Sequence, residues 1–333
     1  MKIIYYNILG MKVFLVFLTF FLVTSCGFHN KKVVEYNKFP KEYCLSADSV
    51  STKAIYDNVF VDFTDNMLIV SSFKADTMLH FYSAPSLNYE FCSGVRGRSS
   101  NEIQSFPSFC HTTTNNLYVR GFTETSIRKF SISGNGLNEQ GRYKLFLSEV
   151  PNDMYIVKDS LLYYNDLTNM EVKSYNILKQ KYCSKWRLSD LYNNSRDALI
   201  GNLCVNDSLT IYAFQYKREI IILRTSDLSY IKTVKWDYDN QDDIIETPNV
   251  LKTLFYTYGI STANYFYLLY RGSKPNEKNP HFCIEVYDKT VTPICSYRLD
   301  RKIFKFVVDE NNGFIYGFGE SDAHIYKYKL PTT

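Results

Sequence analysis

The chain has 333 residues, and its 38 Lys and Arg nearly balance its 34 Asp and Glu, which gives a formal net charge of +4. This balance argues against a protein that binds nucleic acid and against an acidic disordered chain. With 14 Gly and 9 Pro, the chain is too poor in both for a collagen-like or low-complexity class. Its 29 Tyr and 24 Phe favour β-strands and provide ample apolar surface for a core.

The N-terminal segment has the features of an export signal. One apolar run, Val13–Val23, follows a positive charge; it is too short to span a bilayer and has the length of a signal-peptide core. The run leads into Val23-Thr24-Ser25-Cys26-Gly27, which resembles the lipobox of bacterial lipoproteins. That resemblance implies cleavage before Cys26 and attachment of two or three acyl chains, which anchor a protein stably. The alternative is an ordinary signal peptide with a chance Cys.

The predicted organisation follows from this segment. We expect a lipoprotein signal peptide over residues 1–25, a lipidated Cys26 with a short tether over residues 26–32, and a folded domain from residue 33 onward. Acidic residues just after the Cys resemble an export signal of surface lipoproteins, and none follows Cys26 here. The predicted location is therefore the cell envelope, on the periplasmic face of the outer membrane.

The rest of the chain repeats a strand pattern. A turn residue followed by an aromatic-aliphatic strand recurs at intervals of 44 to 56 residues. A second strand follows each time, and a third follows in most units. Units of four strands at this spacing are typical of a β-propeller, whereas a β-sandwich does not repeat one internal spacing six times. We predict an all-β fold, a six-bladed β-propeller over residues 33–330. The recurring turn residues that mark the six repeats are Asn66, Asn116, Ser160, Ser208, Asn264 and Gly313, and an apolar strand precedes most of them.

The last repeat is incomplete in the sequence. Only three residues follow Leu330, which is too few for a fourth strand. A propeller must close into a ring to bury the faces of its blades. We therefore expect an N-terminal strand to complete the last blade, with Val33–Tyr36 or Glu42–Leu45 as the candidates.

One loop carries a resemblance to a family. Within Gly94–Glu102, the residues Gly97, Arg98, Asn101 and Glu102 match a loop that relatives often carry after the first blade, although Ser99-Ser100 replaces Gly-Pro. With the lipobox and the six repeats, the chain resembles the TolB-like six-bladed β-propeller lipoproteins of Bacteroidetes. The resemblance implies a lipid-anchored propeller and brings no established chemistry with it.

Two places carry candidate functional residues. In the loop, Arg96 and Arg98, together with Asn101 and Glu102, form a candidate binding site for a carboxylate or phosphate. The alternative is a connection between blades in which Glu102 satisfies backbone donors. His111 begins a repeat, where innermost strands line the axis, and is the candidate axial residue for a catalytic or metal-binding role.

The sequence contains no local catalytic or metal-binding motif. The His residues lack the spacing of metal ligands, so we predict no metal site and no cofactor. No nucleophile motif is present, so the sequence identifies no catalytic residue. Seven Cys follow Cys26, and a Cys283–Cys295 bridge is one open possibility. The expected function is a non-catalytic binding module for an envelope protein, peptide or glycan, held to the membrane by its lipid. The alternatives are a propeller enzyme of lactonase-like or glycan-cleaving type with an axial site, and a small-ligand sensor or carrier.

Overall fold

The computed structural model describes residues 32–57, 60–72, 75–99, 102–134, 136–192, 196–237, 252–277, 282–319 and 321–331. The signal-peptide prediction, Cys26 and Asn101 lie outside these ranges. From Val33 onward the chain forms one compact unit. Its regular structure, in the described ranges, is 26 β-strands and two short 3-10 turns, at Leu188–Asp190 and Arg196–Leu199. No described helix has the length and apolarity to cross a membrane.

Three strands at the N-terminus precede a series of four-strand units. The N-terminal strands are β1 (Val33–Tyr36), β2 (Glu42–Leu45) and β3 (Ala47–Asp57). Unit 1 contains β4 (Val61–Thr64), β5 (Met67–Ser71), β6 (Thr77–Ser83) and β7 (Asn88–Val95). Unit 2 contains β8 (Pro107–Thr112), β9 (Leu117–Gly121), β10 (Ser126–Ser133) and β11 (Gly136–Lys144). Unit 3 contains β12 (Asn152–Val157), β13 (Leu161–Asp166), β14 (Glu171–Asn176) and β15 (Lys181–Arg187).

The C-terminal half continues the series. Unit 4 contains β16 (Gly201–Val205), β17 (Leu209–Phe214), β18 (Glu219–Arg224) and β19 (Tyr230–Trp236). Unit 5 contains β20 (Leu254–Ser261), β21 (Tyr265–Ser273), β22 (Cys283–Asp288) and β23 (Pro293–Leu299). Unit 6 contains β24 (Lys305–Asp309), β25 (Phe314–Phe318) and β26 (Ser321–Lys329). Within each unit, successive strands pair antiparallel in chain order, so every repeat found in the sequence lies in one such sheet.

The N-terminal strands add to sheets made by distant units. β3 pairs antiparallel with β26 and is the fourth strand of unit 6. β1 and β2 pair parallel with β19 and β23, as fifth strands of units 4 and 5. The two candidates for completing the last unit, Val33–Tyr36 and Glu42–Leu45, are therefore wrong. β3 completes unit 6 instead. Its sequence begins Ala-Asp-Ser-Val-Ser-Thr, which is too polar to be recognised as a buried strand; a fourth strand lies at the outside of its sheet and can be polar.

Burial explains why the repeat was visible in the sequence. The second strand of unit 4, β17, is buried at every position except Leu209, because it lies between other strands and between neighbouring sheets. The last strand of unit 2, β11, is exposed or half-buried throughout. Inner strands therefore have continuous aromatic and aliphatic sequences, while outer strands carry polar residues. The apolar faces of adjacent units pack into shared core clusters.

The proposed Cys283–Cys295 bridge is also wrong. Cys283 pairs in register with Arg298, and Cys295 pairs with Val286, so the two residues lie at different levels of the sheet. All seven described Cys are free thiols.

Candidate functional site

The first strands of the six units lie next to one another. β8 and β12 pair in parallel, which joins units 2 and 3 into one eight-stranded sheet. Side-chain contacts link the other neighbours, and the sixth first strand, β24, contacts the first, β4. The contacts run in chain order and return to the start. They are Asp62 with His111, Asp153 with the backbone of Leu203, Asn202 with the backbone of Tyr256, and Tyr258 with Phe306; Val307 and Val61 share one core cluster.

A cavity of about 270 Å³ opens where these strands end, and we call it the central cavity. It is lined by the ends of four first strands and by the hairpins that follow them. Hydroxyl, amide and carboxylate groups dominate the lining, and an aliphatic wall is provided by Ile260, Val307 and Val308. The lining segments are residues 62–66, 111–115, 260–263 and 307–311.

An Asp–His pair lies at the wall of the central cavity. His111 Nδ1 is 2.9 Å from Asp62 Oδ1, and the two side chains are 19% and 8% exposed. An ionised carboxylate only accepts hydrogen bonds, so Nδ1 carries the proton and Nε2 of the neutral ring is an acceptor. The other carboxylate oxygen, Asp62 Oδ2, is buried and has no hydrogen-bond partner among the described residues. Asp62, which lines the cavity, therefore carries a buried acceptor that no group of the described chain satisfies.

A second layer of side chains lies one strand step below this pair. Tyr155 is in register with His111, and Asp153 is two residues earlier on β12, where the strand has an irregular register. Asp153 Oδ2 accepts hydrogen bonds from the Leu203 N–H and from Asn165 Nδ2, both at 3.1 Å. Burial raises the pKa of Asp153, although the charge of Lys305 opposes the rise. This lower layer therefore contains two charged residues, Asp153 and Lys305.

Lys305, at the start of β24, is the cation of the lower layer. Its Nζ lies 4.2 Å from the ring centroid of Tyr258 and 5.7 Å from that of Phe60. Burial lowers the pKa of Lys305, and the charge of Asp153 only partly offsets this effect. A cation held by aromatic faces retains a favourable electrostatic contact.

The hairpins at the mouth of the cavity are fixed by carboxylates from the next unit. Asp159, after β12, accepts from Tyr118 Oη at 2.9 Å and from Asn116 Nδ2 at 3.2 Å. Glu310, after β24, accepts from Tyr267 Oη at 3.0 Å and from the Thr262 hydroxyl at 2.5 Å. Each of these hydrogen bonds joins adjacent units, so together they fix the positions of the hairpins at the mouth of the cavity. Sequence reasoning missed them, although the shared spacing in Thr114-Asn115-Asn116 and Thr262-Ala263-Asn264 was a visible signal.

The predicted binding loop lies away from the central cavity. Arg96 and Arg98 are exposed, and Arg96 pairs through its backbone with Ile103. Glu102 Oε2 accepts a hydrogen bond from the Ser99 N–H at 2.9 Å, and this bond holds the pKa of Glu102 below its ordinary value. The carboxylate thus satisfies a backbone donor, as the alternative interpretation expected. Asn101 lies outside the described residues.

The structure places His111 in the central cavity, but the sequence did not reveal its partners. Asp62 and Lys305 lie in short strands where a charged residue gives no local signal, and neither was named as a candidate. Among the described residues, no group of three His, Cys, Asp or Glu side chains is placed to hold a metal ion.

Comparisons with known proteins bear on the fold. No family model matches the chain, and no curated protein matches it by sequence. A crystal structure from Bacteroides fragilis, described as a "Putative exported protein", superposes with a TM-score of 0.53 at 10% identity, over 90% of this chain and 100% of that one. A streptogramin B lyase structure superposes with a TM-score of 0.51 at 13% identity, over 86% of this chain and 98% of that one. These likenesses show that the chain has an all-β, propeller-like fold.

Proposed function

We propose that the chain is a lipid-anchored, six-bladed β-propeller of the bacterial envelope, similar to the TolB-like lipoproteins. The six units would be the blades, and β3 would close the ring by completing unit 6. The pairing of β3 with β26 and the return of first-strand contacts from β24 to β4 support closure. The lipobox-like sequence at Cys26 and the likeness to a "Putative exported protein" support export. On this proposal the periplasmic face of the outer membrane is its location.

The function that the geometry supports best is non-catalytic binding of a polar ligand in the central cavity. One observation carries this proposal: Asp62 Oδ2 is a buried acceptor without a partner, at the wall of a cavity that is lined by polar groups. An unsatisfied buried acceptor is costly, so a ligand that donates a hydrogen bond gains affinity there. A hydroxyl-rich glycan, or the amino group of a peptide, provides such a donor.

The test is titration of the full-length lipoprotein in detergent with envelope glycan fragments and short peptides, followed by calorimetry. The Asp62→Asn variant should weaken binding by about tenfold or more, because it replaces a charged acceptor by a neutral amide. Asp207→Asn, in an exposed hairpin outside the cavity, is the matched control. Equal binding by the wild type and Asp62→Asn, or no binding to any member of the panel, contradicts the proposal.

A second candidate function is supported by the same pair. Nε2 of His111 makes no hydrogen bond within the described part of the chain, and Asp62 orients the ring, which is the arrangement of a general base. The likeness to a streptogramin B lyase is compatible with an enzyme on this fold, but the same fold supports many unrelated functions. Turnover of a bound ligand by the wild type, absent in His111→Gln with binding retained, would favour the enzyme over the binding module.

A further inference from the structure

The residues below the central cavity can be located from the spacing of residues along β24 and β20. Val307 lines the cavity, and Lys305 lies two residues earlier on the same face of β24. One such step along a strand is about 6.6 Å. The same step leads from Ile260 to Tyr258 on β20, and the Tyr258 ring is in contact with the Lys305 ammonium. Lys305 therefore lies one strand step before the part of β24 that lines the cavity, next to the residues of the lining rather than among them.

The Lys305 charge lacks an anion in the described chain. Its Nζ makes neither a hydrogen bond nor an ion pair with any described residue, and it lies over the rings of Tyr258 and Phe60. The nearest carboxylate in electrostatic terms, Asp153, is already bonded to Leu203 and Asn165 through Oδ2. A partly buried ammonium without a paired anion is unfavourable in a folded protein. An anionic group that reaches this layer would remove that cost.

We propose that Lys305 is the anion-binding floor of the central cavity and that the ligand is a hydroxyl-rich monocarboxylate of monosaccharide size, such as a uronic acid. This inference rests on the proposed function, because it assigns the ligand class of the same cavity. The ligand carboxylate binds the Lys305 ammonium. Its hydroxyl groups lie one layer higher, where they donate to Asp62 Oδ2 and His111 Nε2. The ring of a six-membered sugar spans the distance between the two layers.

The chemistry of the floor favours a carboxylate over a phosphate. Phosphate sites in proteins gather several donors, usually an Arg fork or a row of backbone N–H groups. Here one ammonium lies below the cavity, Asp153 is the carboxylate whose charge acts on it, and Asp62 lines the cavity itself. The negative charge of these two carboxylates opposes a dianion more strongly than a monoanion.

The experiment compares two sugars that differ only in the acidic group. The full-length lipoprotein in detergent is titrated by calorimetry with D-glucuronate and with D-glucose. The wild type should bind glucuronate about tenfold more tightly, which is the effect of one charge-assisted hydrogen bond. Lys305→Met should remove this preference, so that the variant binds the two sugars with similar affinity. Lys302→Met, at an exposed position on the same segment, is the matched control and should keep the preference.

The outcomes separate the two proposals. Equal affinity for both sugars in the wild type, with loss of both in Asp62→Asn, overturns the role of Lys305 and leaves the cavity as a polar binding site. A preference for glucuronate that persists in Lys305→Met also overturns it. Failure of the wild type to bind either sugar overturns the assignment of this ligand class, whereas the proposed function is contradicted only if the glycan fragments and peptides also fail to bind. Lys305→Gln serves as a second variant if Lys305→Met does not give a cooperative thermal transition.

Discussion

Two lysines in this fold, one buried and one partly buried, have opposite surroundings. Lys173, on β14, is 9% exposed and forms ion pairs with Asp166 at 2.7 Å, Glu149 at 2.9 Å and Glu171 at 3.2 Å. Burial lowers its pKa, but the three carboxylates outweigh burial and hold the pKa above its ordinary value. Lys305 has aromatic rings in place of carboxylates, and its pKa is lowered. The same residue type thus serves two purposes: Lys173 completes a closed network, whereas Lys305 retains the capacity to bind an anion.

This difference follows from position in the unit. Lys173 lies in the third strand of unit 3, where neighbouring hairpins and β15 bring acidic side chains around it. Lys305 lies in a first strand, at the level where the first strands of several units converge. A charged residue in an inner strand that has no paired residue of opposite charge is therefore a better indicator of a ligand site than a charged residue that is paired.

The largest effect is expected from Lys173→Met. Removal of the ammonium leaves three carboxylates close together in a largely buried site, which should destabilise the protein by about 3–5 kcal/mol. Urea unfolding followed by circular dichroism measures this loss. Lys185→Met is the control: its ammonium is 57% exposed and lies 3.5 Å from Glu171, so its loss should change stability by less than about 1 kcal/mol. Similar losses of stability in Lys173→Met and Lys185→Met would show that the buried ion pairs of Lys173 matter no more than one exposed ion pair.

A smaller effect of opposite sign is expected from Lys305→Met. The folded state disfavours the charged form of Lys305, so its removal should stabilise the protein at pH 7, on the order of 1 kcal/mol. A lowered pKa in a base means that the unfolded chain binds more protons, so wild-type stability rises with pH from the folded pKa up to the ordinary value of 10.5. The advantage of Lys305→Met should therefore shrink over this window. Thermal melts from pH 7 to pH 10.5 test this, and an advantage that grows with pH contradicts it.

The smallest effect is expected from Arg98→Ala. Arg98 is exposed and Glu102 is bonded to the backbone, so stability should change by less than about 0.5 kcal/mol. Glu102→Ala removes the acceptor of the Ser99 N–H and should lower the melting temperature more than Arg98→Ala does. If this loop binds anions, the Arg98→Ala variant should bind an anionic glycan more weakly than the wild type does, while its melting temperature stays the same. Unchanged capture would leave the loop as a connection between units.

The sequence allowed the repeats to be predicted because the evidence for them is local. Inner strands such as β17 are buried on both faces and have continuous apolar sequences. The central cavity depends on contacts between distant residues: Asp62 and His111 are 49 positions apart, and Lys305 is far from both. His111 was identified because its place in a repeat was visible. Asp62 was not, because a single Asp in a short strand has the same appearance whether it faces solvent or a partner.

The N-terminal strands have a consequence for folding kinetics. Ala47 pairs with Tyr328, and Val33 pairs with Thr233, so strands near the start of the described chain have partners that are distant in the sequence. Local hairpins can form as each unit emerges, but β26 keeps an open edge until β3 reaches it. Contacts of such long sequence separation slow folding, and unpaired edges during that interval are sites of aggregation. We therefore expect the final step of folding to be the docking of residues 33–57, and early termination of the chain to leave them without a sheet to join.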